Sequence, residues 1–90
     1  MGKIEKRTEY YGNGQLCREY HYKDDKKHGL YREWYKNGQL GYEGHYKDGK
    51  EHGLFREWAI DGSPAGVFYF KNGKRLDTYE AFLEGFTLEA

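Results

Sequence analysis

The feature that most constrains this chain is a period of 24 residues. Tyr11-Gly12-Asn13-Gly14-Gln15-Leu16 returns as Tyr35-Lys36-Asn37-Gly38-Gln39-Leu40. His21-Tyr22-Lys23-Asp24 returns as His45-Tyr46-Lys47-Asp48 and again as Tyr69-Phe70-Lys71-Asn72, and His28-Gly29-Leu30-Tyr31-Arg32-Glu33-Trp34 maps onto His52-Gly53-Leu54-Phe55-Arg56-Glu57-Trp58. A period of this length marks an array whose units are single supersecondary elements, each burying its apolar face only against its neighbours. The units span about 10–33, 34–57 and 58–76, the third eroding after Lys74, and residues 1–90 form a single repeat domain.

Each unit carries two turn signals. Asn13-Gly14, Asn37-Gly38 and Asp61-Gly62 form one series; Asp24-Asp25, Asp48-Gly49 and Asn72-Gly73 form the other. Such pairs tolerate the positive φ of a type I′ turn, whose twist matches a hairpin, so every pair is expected to reverse the chain. Asp25 is the costly position, because its Cβ resists a conformation that Gly49 adopts freely. The spacers have strand length and are rich in aromatic residues. They predict six strands, roughly 4–11, 16–23, 29–35, 40–47, 53–59 and 65–71. No spacer is long enough for a parallel crossover, so the fold class is mainly β, an antiparallel meander.

With two-residue turns at Asn37-Gly38 and Asp48-Gly49, Leu40 faces Tyr35, Tyr42 faces Phe55, and Tyr31 lies over Gly44. Tyr31, Tyr35, Leu40, Tyr42, Tyr46, Phe55, Phe68 and Phe70 then share one face, and Leu30, Arg32, Trp34, Glu43, His45, Leu54, Arg56 and Trp58 the other. After the third unit the period changes. Asp77 and Glu80 have the spacing of a capping box, and Tyr79, Phe82, Leu83 and Phe86 form an i, i+3, i+4, i+7 stripe. A short helix over about 77–86 is expected to lay this stripe over the last strands as a cap.

Composition narrows the function classes. Fifteen Lys plus Arg balance fifteen Asp plus Glu, so the field that draws proteins to nucleic acid is absent. The imbalance is local: residues 77–90 hold Asp77, Glu80, Glu84 and Glu89 and no basic residue. No stretch is long and apolar enough to span a bilayer as a helix. Charged residues between Met1 and Tyr10 stand where a secretion signal needs an apolar core, and Cys17 is the sole cysteine, so a reducing, cytoplasmic location is expected.

Catalytic and cofactor chemistry finds no foothold. His21 and His45, like His28 and His52, are one repeat apart, hence roughly 9 to 10 Å across two strand spacings. Shared zinc ligation requires nitrogens about 2.0 to 2.1 Å from one ion, so neither metal nor cofactor is expected. Ser63 sits in a turn beside Pro64 without a nucleophile elbow. Cys17 occupies a position that the next unit fills with Gly41, which a nucleophile with a preorganised base would not tolerate. Glu9, Glu33 and Glu57 recur as cross-strand partners, with Arg32 opposite Glu43 as one pair, and do not form an acid/base dyad. Gly12-Asn13-Gly14 is followed by no helix and is no phosphate loop.

The run Tyr42-x-Gly44-x-Tyr46-x-x-Gly49-x-x-His52-Gly53 resembles the MORN repeat (membrane occupation and recognition nexus), a hairpin module of Y-x-G-x-W-x-x-G-x-x-H-G character. The 24-residue unit, with its Y-x-N-G-Q-L and K-D-G-K-x-H-G-L blocks, resembles more closely the bacterial, antitoxin-like MORN-variant repeats over residues 10–76. The first unit departs from the pattern with Arg18 and Tyr20 at the Tyr42 and Gly44 positions, and the third with Gly66, Phe68 and Leu76-Asp77. The resemblance implies an extended antiparallel sheet that binds proteins or lipid headgroups, and its antitoxin label implies a protein partner.

Two function classes follow. The first is a protein-interaction module working through a sheet face or an open edge, self-association at the edge included. Its candidate surface is Leu30, Arg32, Trp34, Leu54, Arg56 and Trp58, since Trp and Arg dominate interface hot spots and here recur one repeat apart. The alternative is a peripheral membrane module in which the tryptophans and neighbouring cations meet phospholipid headgroups. The first strand is expected to be an open edge, its Lys3, Glu5, Arg7 and Glu9 discouraging indiscriminate pairing.

Overall fold

A computed structural model describes residues 3–86. Nine strands form one sheet: β1 (Ile4–Tyr10), β2 (Leu16–Lys23), β3 (Lys26–Lys27), β4 (Gly29–Trp34), β5 (Leu40–Lys47), β6 (Lys50–Glu51), β7 (Gly53–Trp58), β8 (Pro64–Lys71) and β9 (Lys74–Leu76). The helix α1 (Thr78–Leu83) follows. The order β1-β2-β4-β5-β7-β8-β9 is antiparallel throughout, with β3 beside β2 and β6 beside β5. The molecule measures 43 × 39 × 18 Å, the thickness of one sheet with side chains on both faces.

The six expected strands are present, and the additional short ones have a local cause. Gly29 and Gly53 adopt φ of +95° and +93°. Each therefore kinks a return strand just after His28 or His52, whose amides donate to the carbonyls of His21 and His45 at 2.9 Å. β3 with β4, and β6 with β7, are single return strands bent at His-Gly, and β9 is the same first segment in the third unit.

The two turn series differ in kind. Asp24-Asp25, Asp48-Gly49 and Asn72-Gly73 all take positive φ at both positions, and the flanking pairs Lys23↔Lys26, Lys47↔Lys50 and Lys71↔Lys74 close two-residue type I′ hairpins. Asp25 sits at φ 64°. At Asn13-Gly14, Asn37-Gly38 and Asp61-Gly62 only the glycine is left-handed. There the loop is one residue longer: Gly38 donates to the Tyr35 carbonyl at 3.0 Å, Tyr35 to the Gln39 carbonyl at 2.8 Å, and Asn37 Oδ1 accepts from Gln39 at 2.9 Å. The asparagine spends its side chain on the loop backbone, which holds it in the ordinary region.

This longer loop inserts one residue into each following strand. Glu9↔Arg18 is followed by Tyr10↔Leu16, Glu33↔Tyr42 by Trp34↔Leu40, and Glu57↔Gly66 by Trp58↔Pro64, leaving Cys17, Gly41 and Ala65 as bulge residues. Leu40 therefore stands opposite Trp34 and not Tyr35, while the kink at His52-Gly53 shifts the β5–β7 ladder so that Tyr42 stands opposite Glu57 and not Phe55. Tyr31↔Gly44 and Arg32↔Glu43 stand as expected. The extra residue lies on the partner strand, so β4 and β7 keep their alternation.

Packing is concentrated on one face. Ring centroids of Tyr31 and Tyr46 are 5.5 Å apart, Tyr42 and Phe55 5.5 Å, and Phe55 and Phe70 5.0 Å. Tyr20 and Tyr22 extend the row. Phe55 is 0% exposed and Tyr31 8%. It is the Phe55 ring, not that of Tyr31, that fills the space over Gly44, where any Cβ would collide with it. Among the described residues no second layer covers these rings, and long cations take its place: Lys27 Nζ lies 5.1 Å from both the Tyr31 and Tyr46 rings, and the guanidinium of Arg75 4.3 Å from Phe68.

The helix is shorter than expected and turned the other way. The capping box forms, with Glu80 N donating to Asp77 at 2.8 Å and Asp77 N to Glu80 at 3.1 Å. However, Tyr79, Phe82 and Leu83 are exposed, and Ala81, on the opposite side, is 1% exposed. Glu80 and Glu84 flank Ala81 on that side and pair with Lys74 (3.5 Å) and Lys71 (2.6 Å), so the acidic side and not the apolar stripe meets the turn. Phe86 lies beyond the C-cap Glu84 and the left-handed Gly85, and packs edge-on against His52.

Gly49→Val is expected to cost about 1 to 3 kcal/mol, because a branched residue resists φ of +86°. Asp25→Gly is expected to stabilise by up to about 1 kcal/mol by relieving the same conformation. Thermal melts check both, and an unchanged melting temperature for Gly49→Val contradicts the turn assignment.

Candidate functional site

The two hairpins that repeat most faithfully present Leu30, Arg32 and Trp34 on β4 and Leu54, Arg56 and Trp58 on β7, all half-buried. Regular alternation keeps each trio on one side of its strand. Between them runs Glu43 of β5, opposite Arg32 on one side and Arg56 on the other. Arg32 Nε approaches Glu43 Oε2 at 2.7 Å, as a charge-assisted bond. Leu30 stands opposite His45 and Leu54 opposite Tyr69. The six residues thus form two parallel rows, with Glu43 between the two arginines and bonded to Arg32.

At the bulge end, a second set of contacts links successive hairpins. The Tyr11 hydroxyl donates to the Trp34 carbonyl, and the Tyr35 hydroxyl to the Trp58 carbonyl at 2.8 Å. Asn37 Nδ2 likewise donates to the Ile60 carbonyl at 3.0 Å. The Tyr35 ring lies over Gly41, where a Cβ would come within 2.8 Å of it, so the bulge residue has to be small. Cys17 is the bulge residue of the first unit and lies beside the Tyr11 phenol, with Arg18 and Glu33 lining the same cleft.

Tyr11, Cys17, Arg18, Glu33, Trp34, Tyr35, Gly41 and Tyr42 enclose a cleft of about 200 Å³ between the first two hairpins. Arg18, its one cation, has Glu9 and Glu33 each at 3.7 Å, so its charge is answered within the sheet. Tyr31 donates to Glu33 at 2.9 Å, and burial together with that bond holds its phenol well above the ordinary value. Burial first, with the neighbouring Tyr46 and Glu57 adding to it, pushes Tyr42 up from 10.0 to about 12. Phenols held neutral beside carboxylates stabilise packing and supply no base at neutral pH. Among the described residues, no group of three His, Cys, Asp or Glu side chains is placed to hold a metal ion.

The opposite end carries lysines. Lys23 with Lys26, Lys47 with Lys50 and Lys71 with Lys74 stand directly across the three type I′ turns, all exposed. Like charges placed opposite one another destabilise a hairpin, so their recurrence is not explained by folding. The helix meets the third pair through Glu80 and Glu84. The K-x-x-K spacing at 24-residue intervals was the available sequence signal for this row, as the recurrence of Tyr11 at Tyr35 and Asn13 at Asn37 was for the bulge-end contacts.

The fold is a single-layer antiparallel sheet built of bulged hairpins, with ring rows on one face and the Arg32–Glu43 pair on the other. Residues 6–24 and 27–48 match the family model of the MORN repeat variant. The matches fall on the β1–β2 and β4–β5 hairpins, which supports MORN-variant repeats there; the β7–β8 hairpin has the same register and bulge without a match. No curated protein and no solved structure matches the chain. No helix among the described residues is long and apolar enough to cross a membrane.

Tyr35→Phe removes the bond to the Trp58 carbonyl and should lower stability by about 0.5 to 1.5 kcal/mol, read by chemical denaturation. Tyr42 predicts a pH dependence with a definite sign. Its folded value of about 12 exceeds its ordinary 10.0, so the neutral ring favours the fold fully below pH 10 and that contribution is lost as pH climbs towards 12. Alkaline unfolding followed by circular dichroism should be shallower in this window for Tyr42→Phe than for the parent.

Proposed function

We propose that this chain is a non-catalytic protein-interaction module whose working surface is the ridge Leu30, Arg32, Trp34, Leu54, Arg56 and Trp58. The supporting observation is the single layer: large side chains stay half-buried on a sheet 18 Å thick, whose buried set is confined to residues such as Phe55 and Tyr31. Trp34 and Trp58 act as anchors and Arg32 and Arg56 fix orientation, Arg32 held in place by Glu43. In its narrower, antitoxin-like form the partner is a toxin that the ridge masks. The cytoplasm, where Cys17 stays a thiol, is the compartment that belongs to this proposal.

Arg32→Ala combined with Arg56→Ala is expected to leave the melting temperature within a few degrees, because the Arg32 to Glu43 pair is partly exposed and worth little to stability. The same change is expected to weaken partner binding by about 1 to 3 kcal/mol. Pull-down from the native host with parent and double variant, read by mass spectrometry, identifies the partner and tests the ridge together. Undiminished capture, or collapse of the fold, rejects the ridge. Growth rescue by the parent and not by the variant, on co-expression with neighbouring genes, tests the antitoxin form.

The lysine row favours a second function, attachment to phospholipid headgroups through the type I′ turn end. Co-sedimentation with anionic vesicles supports it only when binding appears at low salt and falls as salt rises.

A further inference from the structure

We infer that copies of this chain assemble head to tail, the outer edge of β1 of one copy adding to the outer edge of β8 of the next. The 24-residue period places Glu5–Tyr10 in correspondence with Gly29–Trp34 and Gly53–Trp58, with Glu9, Glu33 and Glu57 at one position and Tyr10, Trp34 and Trp58 at the next. β1, β4 and β7 are thus one class of strand, and β2, β5 and β8 the other. Within the molecule β2 receives β4 at Arg18↔Glu33 and Glu19↔Arg32, and β5 receives β7 at Tyr42↔Glu57 and Glu43↔Arg56. β8 has no such neighbour. Its partner β9 reaches only Tyr69, and the chain then turns into α1, so among the described residues Pro64–Phe68 carry no strand on their outer side. Pro64, Ala65 and Val67 are exposed there.

The strand that β8 lacks belongs to the β1 class, and β1 is the member of that class with a free side. All seven of its residues are exposed, whereas β4 and β7 are paired on both sides. The repeat also dictates the register: Glu9 of a second copy opposite Gly66, and its Thr8 opposite Val67. Two cross-strand rows show that this register fits. One runs Thr8, Glu19, Arg32, Glu43, Arg56, Val67, with its charges in the interior and β-branched, uncharged residues at both ends, so the junction pairs Val with Thr. The other runs Glu9, Arg18, Glu33, Tyr42, Glu57, Gly66, and Gly66 sets no side chain against the incoming Glu9.

The junction is weaker than those inside the molecule. Ala59 and Asp61 stand where Tyr35 and Asn37 make their bonds to the next unit, so neither bond is available to the following copy. Assembly is therefore reversible and concentration-dependent. Because two different edges meet, the contact is heterologous and propagates into a series instead of closing as a two-fold dimer.

Sedimentation equilibrium of the full chain is expected to show an average mass that rises with concentration past that of a dimer. A mass that stays monomeric at the highest concentration, or stops at a dimer, overturns the inference. The register is tested by mixing a Val67→Cys chain with a Thr8→Cys chain, both in a Cys17→Ser background, under mild oxidation. Opposed Cβ atoms in a ladder are close enough for a disulfide with small adjustment. A mixed disulfide between the two variants is expected, and it should be lost when Thr8→Cys is replaced by Ile4→Cys, which lies away from position 67 in this register. Formation of only like-with-like products, or equal yield from Ile4→Cys, overturns it. Ile4, Thr8 and Val67 are exposed and the half-buried Cys17 is replaced by the near-isosteric serine, so each variant should keep the parent's circular dichroism spectrum.

Discussion

A sheet one layer thick cannot rely on a second layer to hold its strands in place, so the joint between successive hairpins is the constraint on which the rest of this structure depends. Within a hairpin the ladder runs over six or seven residue pairs, but between hairpins it breaks at the His-Gly kink into two stretches of two pairs each. Both ends of each joint are reinforced. At the bulge end a tyrosine hydroxyl and an asparagine amide cross to the next unit. At the other end the turn glycine of one hairpin donates to the short strand of the one before: Gly49 to the Lys27 carbonyl at 2.8 Å, and Gly73 to that of Glu51 at 2.9 Å. The two turn types therefore have different duties, one placing the small bulge residue under a ring and the other presenting a backbone donor sideways.

Lateral bonding alone leaves both faces half-wet. The aromatic face compensates by stacking rings edge-on across strands and covering them with the stems of Lys27 and Arg75. Such cover is thinner than a packed layer, because a cation keeps its head in water. The opposite face compensates with charge rows instead, Lys6 with Glu19 at 3.1 Å and Arg32 with Glu43 at 2.7 Å. Both devices stop at the ends of the array. There the sheet exposes a bare strand at β1 and an uncovered stretch of β8, and these ends, like the ridge, are where a partner gains most by arriving.

The third unit illustrates how an array ends. It keeps the hairpin, the bulge and the type I′ turn, yet replaces Tyr by Ala59, Asn by Asp61 and His-Gly by Leu76-Asp77. Losing the glycine removes the kink that redirects the return strand, and Asp77 instead caps a helix. The side of that helix that faces the sheet carries two ion pairs to the last lysine turn and is not the side of its apolar stripe.

Strand number, order and antiparallel sense were legible because they depend on local chemistry repeated in register: Asn-Gly and Asp-Gly signals, alternation, and a period too short for crossovers. The Arg32 to Glu43 pair and the capping box at Asp77 were legible for the same reason. The bulges were not, since a two-residue and a three-residue loop share the same Asn-Gly signature and differ only in whether the asparagine side chain bonds within the loop. That single residue moved Leu40 to a new partner, and the His52-Gly53 kink moved Tyr42. The outward stripe of Tyr79, Phe82 and Leu83 was likewise invisible to helical spacing, which shows a face but not its neighbour. The sequence by itself determined a repeating antiparallel hairpin array, because each hairpin is specified by contacts close along the chain. The tertiary structure alone decided which ring fills Gly44, which side of the helix is covered and which edges stay open, because those outcomes depend on groups distant in sequence competing for the same space.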